Sequence, residues 1–132
     1  MTTWTCAGPR RLSWPSGMEP FAKASREKIH AVLLAGLRDA DLRPGDRRLR
    51  YVLTPRLGRK VLRDAYLPAI AELTPAEVLD LGADTGHLGA GDAVANLAAL
   101  HEDRLLRPGE YALVLNAGAG FTWSCLVVGA GD

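Results

Sequence analysis

With 132 residues, 48% of them hydrophobic and 23% charged, the sequence is one domain's worth of ordinary globular protein. Sixteen basic and fifteen acidic side chains nearly cancel, so the charge balance points neither to nucleic acid nor to an anionic membrane as partner. Cys6 and Cys125, at opposite ends, form neither a disulfide framework nor a metal site of known spacing. With no signal peptide and no apolar run of membrane length, a cytoplasmic location is expected.

Residues 1–19 are rich in Pro, Gly, Ser, Thr and Trp and read as an irregular lead-in, with the domain proper over 20–132. Trp4 and Trp14 are costly to leave in water and are expected to pack back onto the domain. Pro20 suits the first turn of a helix, and Ile29, Val32, Leu33, Gly36 and Leu37 recur at the spacing of one buried face. The stretch Asp41-Leu-Arg-Pro-Gly-Asp46 breaks that helix. Arg48 to Leu53 alternates as a strand. Val61, Leu62, Ala65, Tyr66, Ala69, Ile70 and Leu73 form a second helical stripe, with Pro68 placed to bend or end it. Glu77 to Leu81 reads as a short buried strand.

A glycine-rich turn, Gly82 to Gly91, leads to a third helix with Val94, Leu97, Ala98 and His101 on one side. After the turn Arg107-Pro-Gly-Glu110, Tyr111–Leu115 and Phe121–Val128 read as strands joined by a tight hairpin over 116–120. The order α-β-α-β-α-β-β predicts an α/β domain with a mostly parallel, helix-covered sheet and an antiparallel edge. The basic cluster Arg47, Arg48, Arg50, Arg56, Arg59, Lys60 and Arg63 reads first as a solvated face. Its functional alternative is a docking patch for an acidic carrier protein or for phosphates.

The most informative segment is Asp80-Leu-Gly-Ala-Asp-Thr-Gly-His-Leu-Gly-Ala-Gly-Asp92, running from a strand end through glycines to a helix start. No Gly-Lys-Ser/Thr follows, so it is not a P-loop. Val78-Leu-Asp-Leu-Gly82 with Thr85-Gly86 is similar to the first motif of methyltransferases. Asp84, however, stands where that motif takes glycine, and too little chain follows to complete the cofactor site. His87 and Asp92 bracket the turn. A carboxylate that orients a His is the usual support for a general base; the plain alternative is a surface His and an Asp favoured by the helix dipole. In Gly118-Ala-Gly-Phe-Thr-Trp123 the glycines serve either the turn alone or a backbone N–H brought to an oxyanion. Cys125 reads as a core thiol and Cys6 has nothing near it in sequence to activate it.

Three segments together carry a family resemblance: Thr85-Gly-His-Leu-Gly-Ala-Gly-Asp92 opening a helix, Leu106-Arg-Pro-Gly-Glu110, and Gly118-Ala-Gly-Phe-Thr-Trp-Ser124. In order and spacing they resemble the C-terminal end of ketoacyl-ACP synthase III proteins, with a looser likeness reaching back to about residue 20. The resemblance implies the second half of a thiolase-like fold. In that family a cysteine in the first half takes an acyl group from CoA or a carrier protein, and a His and an Asn from the second half assist condensation. The glycine-rich hairpin gives a backbone N–H to the oxyanion hole, a role that would fall on Gly118 to Gly120.

Two departures are specific. Thr54-Pro55-Arg56 stands where the family has its His, and His87 stands where it has its Asn. The pattern is similar to a subgroup that uses Cys, His and Asp to move acyl groups onto hydroxyl or amine acceptors. The resemblance therefore implies His87 as base and Asp92 as orienter, with Gly118 and Gly120 at the oxyanion. It implies no bound cofactor and acyl-CoA or acyl-ACP as substrate. The nucleophile is expected from a Cys-containing N-terminal half or a homologous subunit. The alternative expectation is a non-catalytic remnant or interaction module of the same fold.

Overall fold

A computed structural model describes residues 19–118 and 121–131. Residues 1–18 of the lead-in, with Cys6, Trp4 and Trp14, and Gly120 of the hairpin lie outside the described residues, while Glu19 already belongs to the first helix. Helix α1 (Glu19–Asp39) leads to strand β1 (Leu49–Leu53). A helical segment follows as α2 (Arg59–Val61), a π-helical stretch (Leu62–Tyr66) and α3 (Leu67–Leu73). Then come β2 (Glu77–Leu79), α4 (Gly91–Glu102), β3 (Tyr111–Gly118) and β4 (Thr122–Gly129).

The strands form one sheet in the order β2-β1-β3-β4. β1 runs parallel to both neighbours, and β3 and β4 form the antiparallel hairpin, with Leu115 opposite Cys125 and Asn116 opposite Ser124. The expected mixed sheet with a closing antiparallel edge is thus the observed one. β3 is buried on both sides, as a strand between two helix layers should be. Leu113 and Leu115 join the core with Ile29, Leu33, Leu37, Val52 and Tyr66 beneath α1 and the helical segment. Ala112 and Val114 join Leu53, Ala93 and Leu100 beneath α4. Burying the Leu, Ile and Val side chains of both layers supplies the main drive for folding, about 1.5–3 kcal/mol for each fully buried one before entropy is counted.

Four expectations need correction. Pro68 does not end the second helix: the chain widens into a π turn over Leu62–Tyr66, and Pro68 falls in the first turn of α3, where its missing N–H is tolerated. β2 is shorter than expected and only half-buried, because it is an edge strand. Phe121 does not open the last strand, which runs Thr122–Gly129; it lies in the turn at φ 63° and is exposed, its ring edge-on to Phe21 at 5.2 Å. Trp123, Cys125 and Val127 do pack on the core. The largest correction concerns α4. Val94 is 67% exposed and His101 and Ala98 face solvent, while the buried face carries Asp92, Ala93, Asn96 and Leu100.

Two helix ends share a device. Asp41 (φ 53°) follows α1 and Arg104 (φ 48°) follows α4, both in the left-handed region. The amide of Leu42 then donates to the Leu37 carbonyl at 2.8 Å, and that of Leu105 to the Leu100 carbonyl at 3.1 Å. Both are Schellman closures made without the usual glycine. Among the described residues, no helix is long and apolar enough to cross a membrane.

Candidate active site

The loop between β2 and α4 arches over the ends of β1 and β2. Gly86 (φ 69°) and Gly89 (φ 61°) take the left-handed conformation on either side of His87 and Leu88. The chain can therefore reverse there and return to open α4 at Gly91. Gly82 is needed for another reason: a Cβ there would lie 2.6 Å from Cβ and 2.9 Å from Cα of Arg56. The loop thus sits directly on the segment that follows β1.

Asp92, in the first turn of α4, turns inward and is 1% exposed. Its Oδ2 lies 2.6 Å from His87 Nδ1 and accepts the Arg56 amide N–H at 2.9 Å, while Oδ1 accepts the Leu88 amide N–H at 2.6 Å. Burial pushes the carboxyl pKa up, but the Leu88 amide, the His87 ring and the Arg56 amide outweigh it and hold Asp92 below the usual carboxylate range. The helix N-terminus favours the same charge. An ionised carboxylate can only accept, so His87 Nδ1 carries the proton and Nε2 is left as the free basic nitrogen. The His87 side chain is 48% exposed, which keeps Nε2 reachable.

Below this pair runs a buried network that the sequence did not reveal. Arg56, 7% exposed, donates from Nε to Asn96 Oδ1 at 3.1 Å and from a terminal nitrogen to Thr85 Oγ1 at 2.7 Å. Asn96 Nδ2 donates in turn to the Thr54 carbonyl at 2.9 Å. One arginine therefore ties the end of β1, the middle of α4 and the arching loop together. This corrects the reading of the basic cluster as one solvated face. Of its other members, Arg48 pairs with Asp46 at 2.8 Å, Arg50 with Glu110 at 3.5 Å, and Lys60 and Arg63 with Asp64 at 2.6 and 2.9 Å. The spacing of Asp92 and Asn96, four apart on α4, was the available signal for a polar buried face.

His87 and Gly118 line one cavity of about 280 Å³, closed by Phe21, Leu57, Tyr66 and Trp123. The structure thus brings the predicted His87, Asp92 and Gly118 to one place; Gly120 lies outside the described residues. A larger groove of about 730 Å³ beside Leu100, His101 and Val128 borders the other end of α4 and contains neither His87 nor Asp92. Cys125 is no nucleophile here: burial pushes its thiol up to about 12. Among the described residues, no group of His, Cys, Asp or Glu is placed to hold a metal ion.

Residues 37–130 match the family model of the 3-oxoacyl-[acyl-carrier-protein (ACP)] synthase III C-terminal domain. The chain belongs to this family. Its fold is similar to that of ChlB3, a solved acyltransferase, with a TM-score of 0.67 and 25% identity over 83% of this chain and 32% of that one. It also resembles the 3-oxoacyl-(acyl carrier protein) synthase III FabH of Pseudomonas aeruginosa PAO1, with a TM-score of 0.64 and 16% identity over 86% of this chain and 34% of FabH. The chain therefore spans about a third of the length of each. No curated protein matches it in sequence.

Proposed function

We propose that this domain supplies the base and part of the oxyanion site of an acyltransferase of the synthase III type, acting on an acyl group held as a thioester. The observation that carries the reading is the 2.6 Å contact between His87 Nδ1 and a buried, ionised Asp92 beside a cavity that Gly118 also lines. In this reading the N-terminal portion of the family fold provides a cysteine acylated from acyl-CoA or acyl-ACP, either on the same polypeptide or on another.

The acceptor's O–H or N–H attacks the thioester carbonyl, and His87 Nε2 takes its proton as the new bond forms. Collapse of the tetrahedral intermediate breaks the C–S bond and releases the thiolate, which recovers the proton from His87. Asp92 keeps the ring in the right tautomer and stabilises the imidazolium that forms transiently, and backbone N–H groups of the Gly118–Gly120 hairpin receive the oxyanion. Acyl transfer to a hydroxyl or amine is preferred over carbon–carbon condensation because Thr54-Pro55-Arg56 stands where the resemblance places the family's His, and the basic side chain of that segment is Arg56. Its Nε and one terminal nitrogen are already committed to Asn96 and Thr85. A permanently charged arginine cannot serve as a base.

A second reading, a non-catalytic interaction module, is favoured by the lack of an activated cysteine among the described residues. Size-exclusion chromatography with light scattering, on the chain mixed with a Cys-containing first half, separates the two. The acyltransferase reading expects a stoichiometric complex that passes an acyl group from acyl-CoA or acyl-ACP to an alcohol or amine. A complex without transfer would support the module, and no complex would overturn the two-part enzyme.

A further inference from the structure

The buried stripe of α1 runs Ala22, Ser25, Ile29, Leu33, Leu37 at helical spacing, and Ser25 is its single polar member. A serine at such a position ordinarily bonds back to a carbonyl one turn earlier, which satisfies its hydroxyl. Ser25 does not. It is 3% exposed, and its Oγ has no hydrogen-bond partner. Ser25 is one of the residues that line the same cavity of about 280 Å³ as His87 and Gly118, among Phe21, Tyr66 and Trp123. Tyr66, which lines the same cavity, is not its partner either. In a cavity whose walls are mostly apolar, a buried hydroxyl left without a partner is a group that a polar atom of a ligand can satisfy.

We propose that Ser25 is a specificity-determining residue: its hydroxyl binds an oxygen, hydroxyl or keto, carried on the otherwise apolar acyl group. The inference rests on the reading of this cavity as the acyl site. The cavity's volume falls near the small end of ligand pockets, which run about 300–1,000 Å³. It therefore suits one acyl group better than a whole carrier arm. The mostly apolar walls disfavour charged acyl groups, and a plain hydrocarbon chain leaves the hydroxyl as unpaired as it already is, whereas an oxygen-bearing chain gives it a partner.

The test is calorimetric titration of the full chain with unreactive ligands, the N-(2-acetamidoethyl) amides of hexanoic acid and of 3-, 4- and 5-hydroxyhexanoic acid. All four present the same arm, so any difference between them belongs to the acyl oxygen. One hydroxy isomer should bind about tenfold more tightly than the hexanoyl amide, the value of one neutral hydrogen bond. That preference should vanish in Ser25→Ala and persist in Ser25→Thr, which keeps the hydroxyl. Ser25→Ala removes only an unsatisfied group, so its thermal midpoint should not fall, and this separates a lost contact from a lost fold.

If no hydroxy isomer is preferred, or the preference survives in Ser25→Ala, the inference is overturned while the acyl site stands. If Ser25→Ala weakens all four amides equally, the hydroxyl serves the common arm and the acyl assignment is wrong. If the hexanoyl amide does not bind at all, the cavity is no acyl site and both readings fall together.

Discussion

Replacing Asp92 by Asn keeps the shape of the side chain and removes one acceptor oxygen together with the charge. In the native site Oδ1 serves the Leu88 amide, and Oδ2 serves the Arg56 amide and the His87 ring. An asparagine can satisfy only one of these two sets. Its NH₂ faces either the Leu88 N–H or the Arg56 N–H, donor against donor. The less costly choice keeps Arg56 and His87 satisfied and leaves Leu88 unpaired at the partly exposed edge of the loop. A hydrogen bond to a charged acceptor contributes about 1.5–3 kcal/mol, and the bonds that survive lose their charge assistance. The sum is a destabilisation of about 2–4 kcal/mol, a large part of the 5–15 kcal/mol typical of a domain. Urea unfolding followed by far-UV circular dichroism at neutral pH measures it directly. Asp84→Asn, the same chemical change on an exposed carboxylate of the same loop, should stay within about 0.5 kcal/mol of the parent. Equal effects of the two substitutions would refute the claim that Asp92 organises the site.

Three further outcomes are expected. Because the native pKa of Asp92 lies below its ordinary 3.8, its contribution to stability is complete above about pH 4 and is lost as pH falls through the native value. The gap in urea midpoint between the parent and Asp92→Asn should therefore narrow below pH 4; a gap constant down to pH 2.5 contradicts the assignment. Arg104→Gly, which relieves a left-handed arginine after α4, should raise stability by about 1 kcal/mol in the same unfolding assay, and a loss would mean that the arginine side chain matters more than the backbone strain. Cys125, its thiol pushed up to about 12, should be alkylated by iodoacetamide at pH 8 far more slowly than a free cysteine, as peptide mass spectrometry would show; rapid labelling would overturn its reading as a core thiol.

The layering was legible from periodicity because most buried positions are apolar. The α1 stripe from Ile29 to Leu37 and the continuous apolar run of β3 each match the observed core. α4 was misread for the opposite reason: its inward face is occupied by Asp92 and Asn96, so a search for apolar spacing chose Val94 and His101, which lie in solvent. Partners from distant sequence, Arg56 with Asn96 and Thr85, satisfy groups that look like surface residues when read alone. Charge runs hide such residues well. Arg56 sat among six other basic side chains, and only the fold distinguishes it. The site's glycines were visible as a cluster, but the reason for Gly82, the approach of the Arg56 backbone, is tertiary.

The pairing of His87 with Asp92 as base and orienter is tested most directly by a single turnover. A first half carrying an acyl group already bonded to its cysteine is mixed with this chain and an alcohol acceptor, and transfer is timed by mass spectrometry. The account predicts discharge to the acceptor with the parent chain and a rate lower by about 10²–10⁴ with His87→Ala, the range for loss of a general base. Discharge at the same rate with His87→Ala would contradict it.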